Sequence, residues 1–204
     1  MSLQILVAAG VVLLAAAFAL SYISSRKKLR RILIQAQEGL PSAQYEAALL
    51  YYAGKRVAAD KTLALHYLQS AADSGYAKAL NALGALYHAG KDVTQDDQKA
   101  LSCYRRSAEQ EDFEGMINLA VMYRRGTGTD KDNDQAFAWM KKAADKGSPL
   151  GQRLLAEFYY NGIGTDKNEQ EAMKYYTLAA AQKEPVAVKF LKTRDPRLLR
   201  NDPL

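Results

Sequence analysis

The sequence predicts an all-α protein, an α-solenoid of four 36-residue helix-turn-helix repeats with half-repeat caps, preceded by one N-terminal transmembrane helix. Three observations predict it. Tyr51, Tyr87, Tyr123 and Tyr159 stand 36 residues apart, as do Gly54, Gly90, Gly126 and Gly162, with no insertion anywhere. Within each repeat, apolar and small residues recur at helical spacing on both sides of a glycine-containing turn. Ahead of the array, residues 3–23 run without a single charge.

That N-terminal run is the first element. As a helix rising about 1.5 Å per residue it spans roughly 30 Å, the thickness of a bilayer's hydrocarbon core. A cleaved signal peptide is the competing reading, since Ala17-Phe18-Ala19 offers small residues for a peptidase. Against it, no Lys or Arg precedes the apolar run, so residues 1–25 are read as an anchor. Arg26, Lys27, Lys28, Arg30 and Arg31 follow at once. By the positive-inside tendency they place the repeats in the cytoplasm, at a bacterial inner membrane; a periplasmic repeat domain is the alternative.

Residues 26–40 form the second element, a basic juxtamembrane helix and N-terminal cap. Leu29, Ile32, Ala36 and Gly39 match Leu65, Leu68, Ala72 and Gly75 one repeat later, so the segment reads as a lone second helix. Repeat arrays need such caps to cover a terminal apolar face. The repeats follow at 41–75, 76–111, 112–147 and 148–183, then a half-cap at 184–193 and an irregular tail at 194–204 carrying Pro196 and Pro203.

Small residues recur at Ala43, Ala79, Gly115 and Gly151, and at Ala48, Gly84, Ala120 and Ala156. Alanine or glycine at a helix crossing allows close approach, and Tyr67, Cys103, Trp139 and Tyr175 fill the facing space. Asp60, Asp96, Asp132 and Asn168 stand where the second helices begin. Two of them, Asp132 with Gln135 and Asn168 with Glu171, have capping-box spacing.

These residues resemble the Sel-1-like repeat, a relative of the tetratricopeptide repeat. The third unit carries the pattern best, with Gly115, Leu119, Ala120, Tyr123, Gly126, Gly128, Asp132, Ala136, Trp139, Ala143, Ala144 and Gly147. Elsewhere the pattern loses glycines, to Arg56 and Asp92 in the first two turns and to Glu111 and Lys183 at the ends of the second and fourth units. The resemblance implies a right-handed solenoid and an adaptor role, with partner proteins or peptides bound on a concave face lined by the first helices. Carried onto this register, the candidates are Tyr45, Leu49 and Tyr52 in the first unit and Lys78, Asn81 and His88 in the second. Glu114, Ile117, Arg124, Leu150, Arg153, Glu157 and Tyr160 come from the third and fourth, and Lys189 from the cap.

Charge and chemistry narrow the function classes. The net charge is +6, yet residues 32–183 hold 18 basic and 19 acidic side chains. A near-neutral body of that kind is a poor match for a phosphate backbone, so no nucleic-acid partner is expected. One cysteine and two histidines, His66 and His88, leave no zinc site and no acid-base or nucleophilic constellation. Asp130, Asp132 and Asp134 imitate the start of a calcium loop. Gln135 and Lys141, however, stand where its glycine and bidentate glutamate belong. No enzyme, cofactor, metal or small-molecule substrate is expected. The expected function is a membrane-anchored scaffold that binds partner proteins; the alternative is a periplasmic or luminal factor for envelope assembly or quality control.

Overall fold

The computed structural model describes residues 26–194. The membrane span expected at 3–23 and nearly all of the tail lie outside the described residues. Among those described, no helix is long and apolar enough to cross a membrane. They hold ten helices and no strand.

The chain divides into two compact units, with the break after Ser74. In the first, α1 covers residues 26–37, α2 Pro41–Ala53 and α3 Lys61–Asp73. Ile32 and Ala36, one helical turn apart on α1, are buried. Tyr51 and Tyr67 stack with ring centroids 6.1 Å apart, joining α2 to α3.

The second unit contains α4 (Ala77–Ala89), α5 (Asp97–Glu109), α6 (Phe113–Arg125), α7 (Asn133–Asp145), α8 (Pro149–Asn161), α9 (Glu169–Ala181) and α10 (Pro185–Arg194). Each helix packs on the next in sequence, and the first helices α4 and α6 also touch. Its core runs through Met116, Leu119, Met140, Leu155 and Phe158, each at most 2% exposed. Tyr159 and Tyr175 repeat the tyrosine stack at 5.9 Å. Cys103 occupies the same slot and is buried there as a small apolar residue.

The invariance of the repeat has a hydrogen-bonding cause. Every first helix ends in a left-handed glycine, and the next amide reaches back five residues: Lys55 to Leu50, Lys91 to Leu86, Thr127 to Met122 and Ile163 to Phe158, at 3.0–3.2 Å. The chain then returns so that the amides of Asp60, Asp96, Asp132 and Asn168 donate to the carbonyls of Tyr51, Tyr87, Tyr123 and Tyr159 at 2.9–3.0 Å. Those same four side chains cap the second helices, accepting from Leu63, Lys99, Gln135 and Glu171 at 2.9–3.0 Å. One inserted residue would break both bonds, so the period stays at 36.

Among the described residues, four non-glycine residues have positive φ: Arg56 (70°), Asp92 (61°), Glu111 (64°) and Lys183 (64°), the positions where the repeat loses its glycine. The backbone therefore keeps the turn and bears the strain, about 1–2 kcal/mol for a residue with a Cβ. Lys183→Gly relieves it at the cost of about 0.4–1 kcal/mol of extra chain entropy in the unfolded state. The expected net gain is about 0.5–1 kcal/mol, read as a higher urea midpoint at unchanged slope.

Burial pushes the phenols of Tyr104 and Tyr176 up to about 12 from their ordinary value of 10.0. A group whose folded value is raised contributes stability that is complete below its unfolded value and lost as the pH climbs to the folded one. Thermal stability should hold up to about pH 10 and fall between about pH 10 and 12. Tyr104→Phe should flatten the fall.

Candidate functional site

On α4, the buried residues Ala79, Leu80, Leu83 and Gly84 leave Lys78, Asn81, Ala85 and His88 on the opposite stripe, one helical turn apart. Lys78 is exposed. Asn81 is half-buried in a polar link between neighbouring first helices, accepting from the Asn118 amide at 2.8 Å and donating to Glu114 at 3.1 Å. The Nδ1 atom of His88 lies 2.7 Å from Oδ1 of Asp97, which ties the end of α4 to the start of α5.

Ile117 requires a correction. It lies on α6 between Glu114 and Asn118, the two residues that bond Asn81, and the close approach of the first helices there leaves it 6% exposed. It belongs to the core and offers nothing to a ligand. Arg124 remains on the surface, its guanidinium 5.9 Å from the Phe158 ring centroid.

The candidates on α8 and α10 are drawn into a structural clamp. Arg153 pairs with Glu157 one turn along α8, and its Nε lies 3.3 Å from Glu184. The Arg153 and Glu184 side chains are only 16% and 11% exposed, and Glu184 also accepts from the Ala187 amide at 2.6 Å as the N-cap of α10. This arginine therefore holds the last helix in place. The Tyr160 hydroxyl accepts from Arg194 at 3.0 Å, and its ring meets Phe190 edge-on at 6.2 Å. Lys189 is exposed on α10.

In the first unit, Tyr45 and Tyr52 are half-buried and Leu49 is 51% exposed. Leu49 and Tyr52 line a cleft of about 500 Å³ between α1 and α2. Register alone did not point to this cleft, because its other wall comes from the cap helix. Lys61 on α3 sits 5.7 Å over the Tyr52 ring.

The polar side chains of these stripes are taken up mainly by hydrogen bonds and ion pairs within the fold. No group of three His, Cys, Asp or Glu side chains converges as metal ligands would among the described residues. Asp132 is spent on capping α7. Asp145 sits lower than an ordinary carboxylate: burial raises it, but bonds from Lys141 at 2.5 Å and Tyr175 at 2.9 Å outweigh that. It is paired and structural.

Residues 41–76, 77–112, 113–148 and 149–184 each match the Sel1 repeat. Among solved structures the chain is similar to a protective antigen of uropathogenic Escherichia coli displaying an SLR fold, with TM-score 0.75 and 29% identity over 81% of this chain and 36% of that one. It is also similar to a Sel1 repeat protein from Oxalobacter formigenes, with TM-score 0.74 and 29% identity over 80% and 68% of the two chains. Likeness to the Helicobacter pylori cysteine rich protein B is of fold alone, at TM-score 0.50 and 24% identity over 61% of this chain and 94% of that one. The chain spans about a third of the length of the Escherichia coli antigen. No curated protein matches it in sequence.

Proposed function

The chain belongs to the Sel1 repeat family, an all-α solenoid of repeated helix pairs whose members mediate protein-protein interaction, and on that premise we propose that it is a membrane-anchored scaffold. Partner proteins or peptides bind the concave face presented by the first helices. The observation that carries this reading is the state of the cations there. Lys78, Arg124 and Lys189 form no ion pair with any described carboxylate, whereas Arg153 is ion-paired with Glu157 and Glu184. Cations free of ion pairs, together with the exposed apolar side chain of Leu150 on another first helix, suit an extended ligand with acidic and apolar residues.

Residues 3–23 supply the anchor and the five following cations set its orientation, with the repeats in the cytoplasm at a bacterial inner membrane. Resistance to carbonate extraction tests the anchor; a reporter fused after Leu204 distinguishes the cytoplasmic side from the periplasmic one. The binding face is tested by the triple variant Lys78→Glu/Arg124→Glu/Lys189→Glu. It should lose about tenfold in capture of membrane-derived partners, at about 0.5 kcal/mol for each rim charge. Helicity should stay as it is, and the melting temperature should fall by no more than loss of the surface contact of Arg124 with Phe158 accounts for, about 0.5–1 kcal/mol. Undiminished capture would remove this face from consideration.

A further inference from the structure

The cleft between α1 and α2 has an apolar floor of Leu29, Ile32, Leu49 and Leu50 and a basic rim of Lys28, Lys55 and Arg56, with Glu46 the one acidic residue beside it. None of the three rim cations forms an ion pair with a described carboxylate. They come from two elements: Lys28 from the cap helix, and Lys55 and Arg56 from the first repeat's turn. Arg26, Lys27, Arg30 and Arg31 extend the same positive field along α1, all of them exposed.

Arg56 stands in a strained position. Its φ is +70°, in a turn whose third- and fourth-repeat counterparts carry Gly128 and Gly164. Of the four described non-glycine residues with positive φ, Arg56 is the one beside this cleft. Here the side chain lines the cleft. An occupant that matches both the floor and the rim has an apolar body and an anionic head.

We propose that this cleft binds an anionic phospholipid, its phosphate held by Lys28, Lys55 and Arg56 and the upper part of its acyl chains against Leu29 and Leu49. The proposal takes the anchored topology as its setting. Clusters of four to eight basic residues directly after a membrane span are where anionic headgroups gather. Occupancy would hold the cap helix at the membrane surface and fix the height of the first repeat above it.

The test is native mass spectrometry of the full chain in detergent with equimolar phosphatidylglycerol and phosphatidylcholine. We expect one phosphatidylglycerol retained in preference to phosphatidylcholine. That preference should fall about fivefold in Arg56→Gly and on the order of a hundredfold in Lys28→Gln/Lys55→Gln/Arg56→Gly, at about a factor of five for each cation near the headgroups. Arg56→Gly also relieves the backbone strain, so a loss of lipid with equal or higher melting temperature cannot come from misfolding. Equal retention of the two lipids, or phosphatidylglycerol retention unchanged in the triple variant, overturns the proposal. So does binding of an acidic apolar peptide with no lipid retained. Because the measurement is made in detergent, a chain that resists carbonate extraction yet retains no anionic lipid keeps its anchor and loses only this site.

Discussion

Gly164→Ala is expected to destabilise the second unit by about 3 kcal/mol or more, although it adds one methyl group to a half-exposed turn. A Cβ built there would lie 2.0 Å from the carbonyl oxygen of Asn133 and 2.9 Å from the Cβ of Phe137, at a φ of +63°. Two costs combine: about 1–2 kcal/mol for the left-handed conformation, and about 1–3 kcal/mol for forcing the chain away from its neighbour. The atom in the way belongs to the backbone at the start of α7, so no side-chain rotation relieves it. Gly128 stands in the same relation to the carbonyl of Asp97, at 2.3 Å. In these two repeats the turn glycine is thus a contact between successive repeats as well as a hinge. At about 2–4 °C per kcal/mol for a protein of this size, the melting temperature should drop by about 6–12 °C. A drop under 2 °C would mean that the turn does not approach α7 as described.

Glu184→Ala is expected to release α10. The carboxylate caps that helix through the Ala187 amide and also faces the guanidinium of Arg153, with both side chains largely buried. Losing an N-cap costs about 1 kcal/mol, and a buried cation deprived of one of its carboxylates loses about 1–3 kcal/mol more. The effect should be local. Amide hydrogen exchange should quicken throughout residues 185–194 while α6 and α7 keep their protection. Ala187 and Leu191, both fully buried, would then uncover the end of the core. The double variant Arg153→Met/Glu184→Leu should recover much of the loss, because apolar residues of similar volume leave no charge unpaired. Uniform exchange across the unit would contradict the clamp.

The regular part of the fold is legible in the sequence because one interval governs it. The tyrosines, the turn glycines and the Asp or Asn caps recur at 36 residues, and each marks a specific backbone bond. Even the departures are readable: Arg56, Asp92, Glu111 and Lys183 take the positive φ of the glycines they replace. The site is legible only in part. Register assigns Ile117 and Arg153 to the ligand-facing stripe, and both do lie on first helices. Burial of Ile117, however, depends on how close neighbouring first helices come, through the Asn81, Glu114 and Asn118 link, and that distance is not encoded in spacing. The role of Glu184 was within reach. It stands 36 residues after Ser148 and 72 after Asp112, which cap α8 and α6 through Gly151 and Gly115, so the same shift marks it as a cap. Its second partner, Arg153, needed three dimensions.

In the proposed function, partners dock on the first-helix face. A photo-crosslinking residue placed in turn at Lys78, Arg124 and Lys189, and for contrast at Lys99, Lys142 and Lys174 on the second helices, tests it most directly. The account predicts partner adducts from the first three positions and none from the last three. Adducts from the second-helix positions alone would contradict it.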